Sequence, residues 1–132
     1  MQNLTIGEFF EVAAAVLSAD AKDLQRASRI ELVESALHAP FAGFGEVELH
    51  PTDPEKIAVL GYRIARYHAL PDGNKRTALI AMIILTEKNG GTFDDSNHDK
   101  LGDFMEAAAE GALPEEDFIG FIATVVTLPA GS

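Results

Sequence analysis

Cysteine and tryptophan are both absent from the 132 residues. Without cysteine there is no disulfide, no thiolate metal site and no cysteine nucleophile, and the composition fits a reducing cytosol. Basic residues are scarce as well: ten Lys and Arg stand against 21 Asp and Glu, a formal charge of −11. A field of that sign repels polyanions, so direct nucleic-acid binding is not expected. Long apolar runs are missing too. The longest, Ala78 to Leu85, has eight residues, against the roughly 20 that span a bilayer. No basic segment followed by an apolar stretch opens the chain, which argues against secretion. The expectation is a soluble cytoplasmic protein with no membrane contact.

What is present is ordinary globular material. With 47% hydrophobic residues and 132 positions, the chain has the size and core of one domain over residues 1–132. Alanine is abundant and phenylalanine supplies most of the aromatic bulk, which suits close-packed helices better than a sandwich of sheets. The pattern predicts six helices. Thr5 and Glu8 have capping-box spacing, and Phe9, Val12, Ala13 and Val16 follow on one stripe, giving a first helix near 6–17. Asp20 or Asp23 caps a second, which carries Ile30, Val33 and Leu37 and stops at Pro40. Between Pro40 and Pro51 the glycines and aromatics show no helical period, predicting a loop or short hairpin. Asp53-Pro54 opens a third helix through Ile57, Leu60 and Ile64, and Pro71 ends it near His68. A fourth, Thr77 to Leu85, is apolar on nearly every side and is expected at the centre. Two more follow, about 96–109 and from Pro114 onward, with a frayed tail. The fold class is all-α, a compact six-helix bundle around a central buried helix.

The charge is unevenly placed. Arg63, Arg66, Lys75 and Arg76 fall within fourteen positions where Asp72 is the only acid. From Glu87 to Asp117 ten acids face two bases, the mark of a solvated face. The basic island coincides with His68 to Arg76, where a turn opens the fourth helix. The first N–H groups of that helix lack intrahelical acceptors and sit at its positive end, which suits an anion. Gly73 permits close approach, Asn74 adds donors, and Lys75 and Arg76 add charge. Asp72 is a hard oxygen ligand able to hold Mg²⁺, and His68 is a general base near neutral pH. Each residue also has a structural reading: His68 as a helix cap, Asp72 as a turn residue or N-cap, the rest as exposed first-turn side chains. The two cations nevertheless oppose the dipole, a placement that calls for a compensating anion. His38, His50, His68 and His98 have no metal-ligand spacing, so a histidine metal hydrolase is not expected.

At these residues the sequence resembles the Fic/Doc family, whose signature reads H-x-F-x-(D/E)-(G/A)-N-(G/K)-R. Here it stands as His68-Ala69-Leu70-Pro71-Asp72-Gly73-Asn74-Lys75-Arg76. Lys75, continued as Thr77-Ala78-Leu79, looks like the Doc branch, the death-on-curing toxins, and the resemblance covers most of residues 5–126. It implies a Doc-like toxin of a toxin–antitoxin pair: a Mg-ATP-dependent protein kinase that moves the γ-phosphoryl group of ATP to a Thr or Ser of a translation factor such as elongation factor Tu, inhibiting translation and arresting growth. In that reading His68 takes the hydroxyl's proton and Asp72 holds Mg²⁺, while Gly73, Asn74, Lys75 and Arg76 bind the phosphates. Lys75 and Arg76 also count as catalytic. The alternatives are AMPylation of a protein hydroxyl and a catalytically degenerate binding domain. Segment 40–51 corresponds to the family's flap, which docks the target beside the motif, with Phe41, Phe44 and Val47 as contacts. Arg66 matches a basic position in Doc. Leu70 departs from the family's phenylalanine, which would loosen the loop. The self-inhibiting pattern (S/T)-x-x-x-E-(G/N) fails at Glu110-Gly111, because Glu106 stands where Ser or Thr is required. Inhibition would then come in trans, from a cognate Phd-like antitoxin.

Overall fold

Capping and periodicity account for most of the elements. The computed structural model describes residues 1–130, and Gly131 and Ser132, the end of the expected frayed tail, lie outside the described residues. Helix α1 is Ile6–Leu17, and both halves of its capping box form, Glu8 N–H to Thr5 Oγ1 and Thr5 N–H to Glu8 Oε1. Helices α2 (Ala21–Ala27) and α3 (Ile30–His38) occupy the stretch expected to be one helix. The break at Ser28 and Arg29 has a physical cause: the Arg29 N–H bonds the Ala69 carbonyl at 2.8 Å instead of continuing the helical ladder. A tertiary bond that local propensity cannot foresee therefore makes seven helices, not six, among the described residues. A 3₁₀ turn (Ala39–Phe41) leads into the hairpin β1 (Gly43–Phe44) and β2 (Val47–Glu48), antiparallel with Phe44 opposite Val47.

Helix α4 (Asp53–Tyr67) is capped by the Thr52 hydroxyl rather than by Asp53, which instead occupies the first turn with Pro54. Helix α5 (Asn74–Lys88) follows the motif loop, then β3 (Thr92–Phe93), α6 (His98–Glu110), α7 (Glu115–Val125) and β4 (Val126–Thr127). The short extended run at Thr92 pairs with β4 in an antiparallel ribbon, a long-range pairing with no local signal.

Helices α4 and α5 form the centre. Residues Lys56 to Gly61 of α4 are all buried, as are Thr77, Ala78, Ala81, Met82 and Leu85 of α5. The Met82 side chain of α5 packs onto the α4 backbone at Gly61, where a Cβ would lie 2.2 Å from Met82 Sδ. Around this pair pack Phe9 and Phe10 of α1, Leu101 and Met105 of α6, and Phe118 and Ile122 of α7. The result is an all-α bundle with two small ribbons at its edge, and the loop joining the two central helices carries the motif. Among the described residues no helix is long and apolar enough to cross a membrane.

Candidate active site

The loop from His68 to Gly73 is fixed at both ends by left-handed backbone. His68 closes α4 at φ 52°, ψ 44°, and Gly73 opens α5 at φ 68°. Left-handed geometry costs a non-glycine residue about 1–3 kcal/mol and persists only where the surroundings impose it. Gly73 is required twice over: its φ is positive, and a Cβ would fall 2.6 Å from Leu17 Cδ2. Between the two, Leu70 is buried at 3% exposure. The Asn74 side chain clamps Leu70, its Oδ1 accepting from the Leu70 N–H and its Nδ2 donating to the Leu70 carbonyl, both at 3.0 Å. The leucine that replaces the family's phenylalanine thus still anchors the loop in the core.

A cavity of about 350 Å³ opens against this loop, lined by Leu17, His68, Pro71, Asp72, Gly73, Asn74, Lys75 and Arg76. The motif residues His68 and Asp72 to Arg76 are all on its wall, and Leu17 of α1 joins them. Helix α5 has no side-chain N-cap, and its first intrahelical amide bond is that of Thr77 to the Gly73 carbonyl. The amides of Asn74, Lys75 and Arg76 therefore face outward at the positive helix end, an anion-binding arrangement. Asn74 contributes there through its backbone, since its side chain is spent on the loop. Asp72 is exposed and is not the helix cap; its Oδ1 accepts from the Gly73 N–H at 2.8 Å.

The basic island divides. Arg63 turns away and makes a two-pronged pair with Glu115, 2.6 and 3.0 Å, and a bond to the Tyr67 hydroxyl, which together hold its guanidinium protonated more firmly than usual, the Glu115 bonds first. Arg66 lies against Gly111, the cap of α6. Lys75 reaches Glu106 of α6 at 2.5 Å. Its ammonium pKa is raised by the Glu106 hydrogen bond, and the Glu106 carboxyl is held low by Lys75 first and Glu110 next. Arg76 enters no salt bridge among the described residues and borders the cavity. At the cavity, the Arg76 guanidinium, the Lys75 ammonium shared with a carboxylate, and a helix end remain to meet an anion.

The hairpin does not line this cavity. It precedes the start of α4, whereas His68 closes the end of that helix, 15 residues on. Phe44 and Val47 are 76% and 65% exposed, and Leu49 is exposed beside them. Phe41 is half-buried under the Lys56 ammonium. Lys56 itself is buried, paired with Glu48 and bonded to the His50 carbonyl, and so ties the hairpin's base to α4.

Among the described residues no group of three or more His, Asp or Glu is placed to hold a metal. Among the described residues Asp72 is the one carboxylate lining the cavity, and Mg²⁺ keeps several waters and binds through one or two carboxylates plus substrate phosphates. The fold and the loop thus define a helical bundle with an anion site at a helix mouth and an imidazole beside it. Residues 3–86 match the Fic/DOC family, and the chain belongs to it. No curated protein matches the chain. Fic/DOC proteins are typically transferases that use nucleoside triphosphates, generally with a metal, and many pair with antitoxins.

Proposed function

We propose that the chain, as one domain over residues 1–132, is a Doc-like toxin kinase that transfers the γ-phosphoryl group of ATP to a Thr or Ser hydroxyl of a translation factor resembling elongation factor Tu. The observation that carries the reading is the convergence on one cavity of His68, Asp72, Arg76 and the three outward amides of α5. Phosphoryl transfer needs alignment and charge neutralisation more than covalent help from the protein, and these groups supply both. The amides of Asn74 to Arg76, with the Lys75 and Arg76 side chains, bind the phosphates. Asp72 would hold Mg²⁺, which when bound neutralises phosphate charge. His68 takes the proton as the target oxygen bonds to phosphorus and the bond to the ADP oxygen breaks. Lys75 in place of the glycine common in nucleotidyl-transferring relatives favours phosphorylation.

The target is engaged by the hairpin through Phe44 and Val47, and inhibition comes from a Phd-like antitoxin in the cytoplasm. A groove suited to an apolar antitoxin segment runs between α1 and α5, about 460 Å³, walled by Val12, Val16, Leu79, Ile80 and Ile84 with Arg76 at one end. Arg76 borders both cavities, so a segment seated there would also reach the phosphate site.

The test is incubation with γ-labelled ATP, Mg²⁺ and cell lysate beside His68→Ala, followed by mass spectrometry of the modified band. A phosphoryl gain lost in the variant supports the kinase. A nucleotidyl gain would make it an AMPylating enzyme, and growth arrest unchanged by His68→Ala would leave a binding domain.

A further inference from the structure

We infer that the last turn of α6 positions the imidazole: the Ala109 carbonyl holds His68 as its Nε2–H form and leaves Nδ1 as the nitrogen that receives the hydroxyl's proton. The inference rests on the functional reading above for its catalytic meaning, but the geometry is independent of it. His68 Nε2 lies 3.1 Å from the Ala109 carbonyl oxygen. A carbonyl only accepts, so Nε2 carries the hydrogen in the neutral ring and in the imidazolium alike. In the neutral ring the other nitrogen, Nδ1, then bears the lone pair.

The acceptor is available because of how α6 ends. The last carbonyls of a helix have no intrahelical donors. Here Ala112 N–H takes the Ala107 carbonyl and Gly111 N–H the Ala108 carbonyl, while the Ala109 carbonyl is left to His68. This is also the negative end of the α6 dipole. When the proton reaches Nδ1 the ring becomes cationic, and Nε2–H continues to donate to a carbonyl that favours that charge. The arrangement has the general form of a base oriented by a third group.

Gly111 sets the register of the contact. It caps α6 at φ 73°, and a Cβ there would lie 2.9 Å from Arg66 Nη2. Arg66 is two residues before His68, so its guanidinium fills the space over Gly111 and leaves no room for a side chain there, while the imidazole bond to Ala109 joins the ends of α4 and α6. Ala109 and Gly111 both lie beyond the family match, which ends at residue 86. They are positioning residues, acting on the reaction only through His68.

The experiment is NMR of the ¹⁵N-labelled full chain with the ring assigned through His68→Ala, alongside kinetics of Gly111→Ala. The expected result is a His68 Nε2–H signal protected from solvent exchange, with cross-relaxation to Ala109 and Glu110. Gly111→Ala should erase it and lower kcat about tenfold or more, part of what a general base supplies, with KM for ATP unchanged. Combining Gly111→Asn, which tolerates left-handed backbone, with Arg66→Ala, which clears the space, should restore both. A ring protonated at Nδ1, an unprotected ring, or a folded Gly111→Ala with normal kcat overturns the inference. If the protein transfers nothing, the functional reading fails, yet the ring signal still decides whether Ala109 orients His68.

Discussion

Glu106 is the residue whose chemistry most directly opposes the proposed activity, because it occupies a cation that the phosphates would need. Both partners of its pair with Lys75 are about half exposed, 47% and 52% at the side chains, where ion pairs are weak. Such a pair tunes affinity without blocking it. Glu106→Gln should tighten ATP binding about two- to fivefold, the range of an exposed pair expressed as a dissociation constant, as isothermal titration would measure. The pH sense follows from the two shifts. Glu106 is held below the ordinary glutamate value and Lys75 above the ordinary lysine value. The pair's contribution is therefore full between those ordinary values. It is lost as pH falls through the lowered Glu106 value or rises through the raised Lys75 value. Unchanged affinity in Glu106→Gln would mean that Lys75 does not meet the nucleotide.

The α4–α5 pair is the element on which the motif depends, since the loop between them inherits its shape from their separation. Gly61 leaves the room in which the Met82 side chain packs between them. In Gly61→Ala the new Cβ would fall 2.2 Å from Met82 Sδ, within a fully buried contact, and overpacking of that kind costs about 1–3 kcal/mol. Thermal melts should show the loss, with ATP affinity falling as the loop is displaced. The hairpin should behave in the opposite way. Phe44→Ser with Val47→Ser removes exposed apolar surface that does not line the phosphate cavity. ATP binding and thermal stability should therefore stay put while KM for the protein target rises about tenfold or more, the loss of one or two interface anchors. A double variant with normal target KM would remove the hairpin from the docking surface.

These elements also show which parts could be read in advance. Helices α1, α4 and α5 announce themselves through the Thr5–Glu8 box, Pro54 and the apolar run Thr77 to Leu85, all local signals, and the motif is contiguous, so one loop carries Asp72, Gly73 and Asn74 together. The Arg29–Ala69 bond that splits α2 from α3, and the Thr92–Thr127 pairing, join residues far apart in the chain. Leu17, Glu106 and Ala109 reach the site from two other helices. Asn74 lines the cavity, but its side chain serves the loop rather than facing outward, a matter of rotamer and register that composition does not encode.

At the scale of the molecule, a charge of −11 opposes both the compact state and the approach of ATP. Self-repulsion destabilises folded proteins far from neutrality and is screened by salt. The five ion pairs among the described residues are also screened, but four of them leave at least one partner a third or more exposed, and such pairs contribute little. Repulsion therefore wins, and the melting temperature at pH 7 should rise as NaCl goes from low to physiological concentration. Acid tests the opposite balance. Toward the pI of about 4.6 repulsion fades, but Glu8 and Asp94, held low by Lys88 and by Ser96 respectively, join Glu106 in losing their contributions as pH falls through their lowered values. Stability should accordingly climb on moving from pH 7 toward the pI and fall below it, a maximum that calorimetry across pH at low salt would locate. A monotonic fall from pH 7 downward would show that the paired carboxylates, and not the net charge, govern the fold.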